Sequence, residues 1–197
     1  MVACMEREIL ITGIGGQGVQ LAAQVLARAA VADGREVMLL GTYGGTMRGG
    51  STDSCIVIAD APIRTPPIVS RAWAVLAMHD RFFAPSGAKL CSGSLAFVNS
   101  DLFEAKLDLP GVRVLGVEAT RVANRVASSM AASLVLAAGF AGATGLVTLE
   151  SLVSAMEECV PSYRRQHVEA NQRALHAGFE LLAGQAEPAW PGEASAA

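Results

Sequence analysis

The sequence predicts a three-layer α/β fold with a mostly parallel sheet and a helical C-terminal part. Three observations predict it. Short apolar runs of strand length alternate with runs of helical period in the first part of the chain. Ala, Val, Leu and Gly dominate a composition that is 52% hydrophobic and poor in aromatics, which suits close helix–sheet packing. From Glu118 onward the chain reads as helices alone. Its 197 residues suit one domain with a real core. We read that domain as residues 1–184. Residues 185–197 are small, polar or Pro-containing and are expected to form a frayed, flexible tail in which Trp190 has no core to join.

In chain order, residues 8–12 form a buried strand and residues 19–32 a helix, with Val19, Ala22, Leu26 and Ala29–Ala30 at helical spacing. Asp33-Gly34 stops that helix, and residues 36–40 form the second strand. A glycine-rich loop is expected over 41–54, then a strand over 55–59 closed by Asp60. Pro62, Pro66 and Pro67 mark an extended crossing over 61–68. A strand over 73–78 ends in His79-Asp80, a helix over 81–90 is interrupted by Pro85, and residues 95–98 form a strand. Asn99-Ser100-Asp101 caps a short helix through Leu107, and Pro110-Gly111 turns the chain into a strand over 112–117. The helical part has a helix over 119–138 capped by Thr120, and a second capped by Thr148 and running to Cys159. The last, over 161–183, carries the stripe Val168, Asn171, Leu175, Gly178, Leu182. Asn171 in that seam either bonds a partner backbone or marks its wet edge.

Several classes are disfavoured. The net charge is −3 with no basic cluster, so a nucleic-acid footprint is absent. Cys4, Cys55, Cys91 and Cys159 are far apart with no C-x-x-C pair, which excludes ferredoxin-type ligation within this chain and reads as reduced thiols in a cytoplasm. The three histidines are dispersed and suggest no metal site. The apolar run 130–147 is broken by Gly139, Gly142 and Gly145 and reads as a buried helix, not a membrane span. There is no G-x-S-x-G elbow, H-E-x-x-H or Walker lysine, so no catalytic residue is assigned.

Two glycine-rich stretches carry the chemistry. Gly13-Ile14-Gly15-Gly16-Gln17-Gly18 stands between the first strand and first helix, the context of a Rossmann-like βαβ unit. Such glycines allow positive φ and close approach of a ligand, and the helix N-terminus suits a phosphate. A tight turn with close packing and no ligand accounts for them equally. The acid that holds a dinucleotide ribose belongs at the end of the second strand, but Glu36 stands at its beginning, which disfavours ordinary NAD binding. The second stretch includes Tyr43, Arg48, Gly49, Gly50 and Ser51. A guanidinium between glycines can clamp a carboxylate or phosphate.

These two stretches, with Tyr43-Gly44-Gly45-Thr46-Met47-Arg48-Gly49-Gly50 in full and the Asp60-Ala61-Pro62-Ile63 turn, resemble the gamma subunit of the 2-oxoacid:ferredoxin (2-oxoacid:acceptor) oxidoreductases. Asn124, Gly145-Leu146, Asn171 and Gly178 agree, so the resemblance covers about residues 7–183. It implies one subunit of a heteromeric, cytoplasmic enzyme of anaerobic metabolism. That enzyme converts a 2-oxoacid to acyl-coenzyme A, CO2 and reduced ferredoxin. Thiamine diphosphate, Mg and iron–sulfur clusters are implied in alpha and beta partners, with a delta or ferredoxin-like subunit left open, and no nucleic acid or membrane. The isolated chain is expected to be inactive. By position, Gly13, Gly15, Gly16, Gln17, Gly18, Tyr43, Arg48, Gly49, Gly50 and Ser51 are the candidates for contact with coenzyme A. Related indolepyruvate enzymes carry His-Gly where this chain has Tyr43-Gly44, which favours 2-oxoglutarate, pyruvate or branched-chain substrates. Three alternatives stay open: an indolepyruvate oxidoreductase small subunit, a free-standing nucleotide-binding oxidoreductase and a non-catalytic scaffold.

Overall fold

The computed structural model describes residues 5–43, 49–64 and 66–191, without the side chain of Tyr43. Six strands and six α-helices follow in the order β1 (Glu6–Ile14), α1 (Val19–Ala32), β2 (Glu36–Tyr43), β3 (Ser51–Ala59), β4 (Ala72–Ala77), α2 (Phe83–Gly87), β5 (Leu90–Asn99), β6 (Arg113–Val117), α3 (Ala119–Val126), α4 (Ala132–Thr144), α5 (Leu149–Cys159) and α6 (Val168–Leu181). The strands form one sheet in the order β2-β3-β1-β4-β5-β6. β1, β4, β5 and β6 pair in parallel, while β3 is antiparallel to both β1 and β2. The expected α/β class with a mostly parallel sheet holds, but the first βαβ unit is split. β3 lies between the two strands that α1 connects.

Strand alternation decides the two faces. Ile9, Ile11, Ile56, Ile58, Leu76 and Phe97 pack beneath α1 and α4. Leu10, Val57, Val75, Ala77 and Val98 face the other way, toward Phe83 of α2. Helices therefore cover both faces, unequally. One side carries five helices in two tiers, and the other a five-residue helix with extended segments. All thirteen residues of α4 are buried, as an uninterrupted apolar sequence requires. α6 approaches α4 backbone to backbone. A Cβ at Gly178 would collide with the Val135 carbonyl, and one at Gly142 with that of Phe179.

Five expectations change. The short helix expected through Leu107 is only a 3₁₀ turn, Ser100–Leu102. The loop over 41–54 is mostly strand, because β2 and β3 continue their ladder through Gly41↔Ser54, Thr42↔Asp53 and Tyr43↔Thr52. Residues 44–48, including Arg48, lie outside the described residues. The single helix expected over 119–138 is two helices, separated where Ser128 is extended. Serines offer the backbone competing hydrogen bonds, and Arg173 Nε satisfies the freed Val126 carbonyl at 2.8 Å. Thr120 does not cap α3. Its hydroxyl accepts from Asn99 Nδ2 at 2.9 Å, and the helix starts after Glu118. The cap at Thr148 is present, its hydroxyl accepting from Ser151 N at 3.2 Å.

The tail is the fifth. Residues 185–191 fold back instead of fraying, with Ala189 and Trp190 buried. Trp190 Nε1 donates to the Leu146 carbonyl at 3.0 Å, and Arg35 lies 4.0 Å from its ring centroid. Arg7 Nε donates to the Ala189 carbonyl at 2.7 Å. Indole burial with a satisfied N–H and flanking guanidinium groups is favourable, and sequence spacing gives no sign of it.

Candidate functional site: a crevice at the carboxyl ends of the central strands

The chain leaves β1 through α1 on one face and leaves β4 through α2 on the other, so a topological switch point falls between these neighbouring strands. Ligands of open α/β sheets collect at such points, outside the carboxyl ends of the strands. The turn after β1 is built for close approach. Gly13 admits no side chain, since a Cβ would lie 2.9 Å from Met78 Cβ and 2.9 Å from Val19 Cγ2. Gly16 and Gly18 have φ of 105° and 81°. A Cβ at Gly18 would strike Ser133 Oγ, whereas nothing stands within 4 Å of one at Gly16, so Gly16 shows bare backbone to open space. Gln17 closes the turn. Its backbone N–H donates to the Ile14 carbonyl at 3.0 Å, and its side-chain oxygen accepts from Ile14 N at 2.7 Å. α1 begins at Gly18 without a side-chain cap and without an acid in its first turn, which leaves its N-terminal donors to other acceptors.

The second glycine stretch meets the first directly. The β1–β3 ladder runs out through Gly13↔Thr52 and Ile14↔Ser51. Gly15 N then donates to the Gly50 carbonyl at 2.8 Å, and Gly49 N to the Gly15 carbonyl at 3.4 Å. Ser51 Oγ donates to Asp53 Oδ2 at 2.7 Å and so supports the hairpin. Of the predicted residues, Gly15, Gly49, Gly50 and Ser51 therefore assemble with the turn. For Tyr43 only the backbone, at the end of β2, is described.

Beside the turn is a cleft of about 230 Å³ lined by Gly16, Gln17, Met78, Leu102, Thr120 and Met130, among others. Asn99, expected from the sequence to help cap a short helix, makes no cap bond and frames this cleft instead. Fully buried at the end of β5, it donates to the Met78 carbonyl at 3.4 Å and to Thr120 Oγ1, and its carbonyl accepts from Thr120 N at 3.3 Å. It thus fixes the ends of β4, β5 and α3 relative to one another. Asp101 accepts from Arg121 N at 2.8 Å, on α3, and does not cap its own turn. His79 and Asp80 line an adjoining cleft of about 230 Å³ with Asp101 and Glu104, and Arg121 pairs with Asp101 at 3.3 Å. His79 Nδ1 accepts from Arg81 N at 3.2 Å and lies 2.7 Å from Asp80 Oδ1.

On the helical side, Met130 also lines a pocket of about 280 Å³ between α1, α5 and α6. Cys159 lines it, and burial raises its thiol pKa. Asn171 also faces this pocket, which resolves its place in the seam as the wet edge. Among the described residues, no three His, Cys, Asp or Glu side chains stand close enough to hold a metal ion, and no helix is long and apolar enough to cross a membrane.

The fold and the site together define the class as an open α/β domain with a glycine turn at its switch point, stapled to a second glycine loop. The chain belongs to the pyruvate ferredoxin/flavodoxin oxidoreductase family, whose model matches residues 8–181. It is 31% identical to 2-oxoglutarate synthase subunit KorC of Methanothermobacter thermautotrophicus, over 90% of this chain and 96% of the relative. The gamma subunit of a keto/oxoacid ferredoxin oxidoreductase from Geobacter sulfurreducens superposes with a TM-score of 0.74 at 30% identity, covering 88% of this chain and 96% of that one. A 2-oxoglutarate:ferredoxin oxidoreductase from Magnetococcus marinus, solved with 2-oxoglutarate, coenzyme A and succinyl-CoA bound, shares the fold with a TM-score of 0.81 at 16% identity. This chain spans 96% of its own length there but only 34% of that protein, where the same fold is one part of a longer chain.

Proposed function

We propose that this chain is the gamma subunit of a cytoplasmic 2-oxoacid:ferredoxin oxidoreductase and that it forms part of the coenzyme A side of the assembled enzyme. Gamma-type relatives match it along most of their length, which supports the subunit role. The observation that carries the coenzyme A reading is the meeting of the two glycine stretches at Gly15, Gly49 and Gly50, beside the uncapped N-terminus of α1. Bare backbone at Gly16 and free helix donors suit a diphosphate. Coenzyme A, when bound, supplies the thiol that accepts the acyl group. The residues of this chain bind and orient it.

Thiamine diphosphate, Mg and the iron–sulfur clusters belong to alpha and beta partners in this reading, and ferredoxin takes the electrons. The 2-oxoacid is then chosen elsewhere in the complex. 2-Oxoglutarate is the first substrate to assay, as the acid for which the KorC relative is named.

The test is anaerobic affinity purification of the chain with its native partners, followed by assay for thiamine diphosphate and for 2-oxoacid-dependent reduction of a viologen dye. Brown, thiamine-containing partners in fixed ratio are expected. A colourless single chain, under conditions that preserve complexes, overturns the subunit reading. In the assembled enzyme, Gly16→Val is expected to raise KM for coenzyme A about tenfold or more, since a side chain there combines backbone strain with a blocked approach. An unchanged KM removes coenzyme A from this subunit.

A further inference from the structure

At the end of the sheet opposite the glycine turn, the parallel strands begin around a cavity of about 430 Å³. Arg7 enters it from β1, Trp73 from β4, Leu95 from β5 and Arg113 from β6. Gly93 and Gly111 form part of its floor and put no side chain into it. The tail supplies the roof through Glu187, Pro188 and Pro191. The family match ends at residue 181, so this roof lies outside it.

Arg7 is the unusual group. Its guanidinium stands 4.7 Å from the Trp73 ring centroid and 5.9 Å from that of Trp190. Its Nε donates to the Ala189 carbonyl at 2.7 Å, and one terminal nitrogen donates to Met5 Sδ, a weak acceptor, at 3.1 Å. It forms no ion pair with a described residue, and burial lowers its pKa. A half-buried guanidinium without a carboxylate carries a desolvation cost that nothing offsets. Arg113 is exposed and has no hydrogen-bond or ion-pair partner among the described residues. Glu187, on the tail side, pairs with neither arginine. Ser94 also lines the cavity, but its hydroxyl is committed, donating to the Ala72 carbonyl at 2.7 Å and accepting from Cys91 N at 3.0 Å.

These features define a ligand. A mostly apolar cavity of this size with a few placed charges suits a small molecule. A guanidinium fork takes a carboxylate. Glu187 at the rim repels a second negative charge. Trp73, Leu95 and the two prolines offer their surfaces to a carbon body.

We infer that this cavity binds a monocarboxylate with an apolar body, its carboxylate on Arg7 and Arg113 and its body against Trp73, Leu95 and the prolines of the tail. The site lies at the other end of the sheet from the glycine crevice and does not depend on the coenzyme A reading. Because the roof is the tail, occupancy also holds residues 185–191 against the sheet.

Trp73 and Trp190 are the only two tryptophans of the chain, so its indole fluorescence reports on the surroundings of Arg7. The full chain is titrated with phenylacetate, isovalerate, acetate, succinate and the neutral phenylacetamide. Phenylacetate and isovalerate are expected to change the fluorescence saturably. Acetate, succinate and phenylacetamide are expected to bind at least about tenfold more weakly, for want of a body, through the extra charge and for want of a charge. Arg7→Lys keeps the charge but loses the fork, and is expected to raise the Kd for phenylacetate about tenfold. Arg113→Gln alters an exposed side chain, leaves the Arg7 bond to the tail in place and is expected to raise that Kd as well. Calorimetry on the assembled complex repeats the titration in the presence of the partner subunits. Silence of both phenylacetate and isovalerate in the two measurements overturns the inference. So does an amide that binds as tightly as the acid, or a Kd unchanged in both variants.

Discussion

At the residue scale, the glycines of the turn separate into two kinds. Gly13 is required by packing, and Gly16 by conformation. Gly13→Ala is expected to destabilise the chain by about 1–3 kcal/mol through overpacking against Met78 and Val19. Gly16→Ala meets no atoms and is expected to cost only about 1–2 kcal/mol of left-handed strain. Chemical denaturation of the two variants checks the order. Glu8, on the thinly covered face of β1, has its pKa raised by partial burial and, secondarily, by Glu6. Its folded-state pKa lies above the unfolded value. Relative to neutral pH, stability is therefore gained below the unfolded value and lost as pH rises through the folded one. Glu8→Gln is accordingly expected to raise the melting temperature slightly at pH 7, with the gain vanishing as the pH falls through the carboxylate range. Thermal melts at several pH values would show a constant gain if the carboxylate were not responsible.

At the scale of elements, legibility followed how local the cause was. α1 was readable to the residue because its apolar spacing, glycine entry and Asp33-Gly34 exit all lie in its own sequence. The α3–α4 break was not, because Ala127 to Ala131 has fair helix propensity, and a tertiary contact from Arg173 serves the break. The hairpin was underestimated for a similar reason. Gly41 and Ser51 are weak strand formers held in strand by the ladders that β3 makes with β2 and β1. The site was half legible. Both glycine stretches could be picked out, but Asn99 and the pocket on α6 depend on how distant elements meet. Trp190 belongs to the same class. Trp190→Ala is expected to destabilise the chain by about 3 kcal/mol or more, through the lost indole and its bond to Leu146, and to release residues 185–191 to proteolysis. A denaturation midpoint equal to the parent's would show that the segment contributes nothing.

For the whole molecule, the sheet ends in an edge that no other strand of the described residues covers. β2 is the outermost strand, its ladder to β3 has no bulge, and Leu39 and Leu40 are exposed on it. No lysine or proline interrupts residues 36–43. Such edges pair with other chains. The isolated chain is expected to self-associate at high concentration, and Leu40→Lys to reduce that. Light scattering that is equally strong in both would assign the association to another surface. Composition marks the molecule as apolar, and the strand order shows that β2 stands at one edge of the sheet.

The insertion of β3 between β1 and β2 ties binding to pairing register. One set of ladder bonds places Ile56 and Ile58 in the core and, at its far end, Gly50 on Gly15. Because successive side chains point to opposite faces, a slip of one residue would turn Cys55 and Val57 into the core and carry Gly50 past the turn. The hydrophobic core therefore proofreads the ligand site. Any alignment that misplaces the glycine loop also buries the wrong side chains, and so is eliminated during folding, before a ligand is ever met.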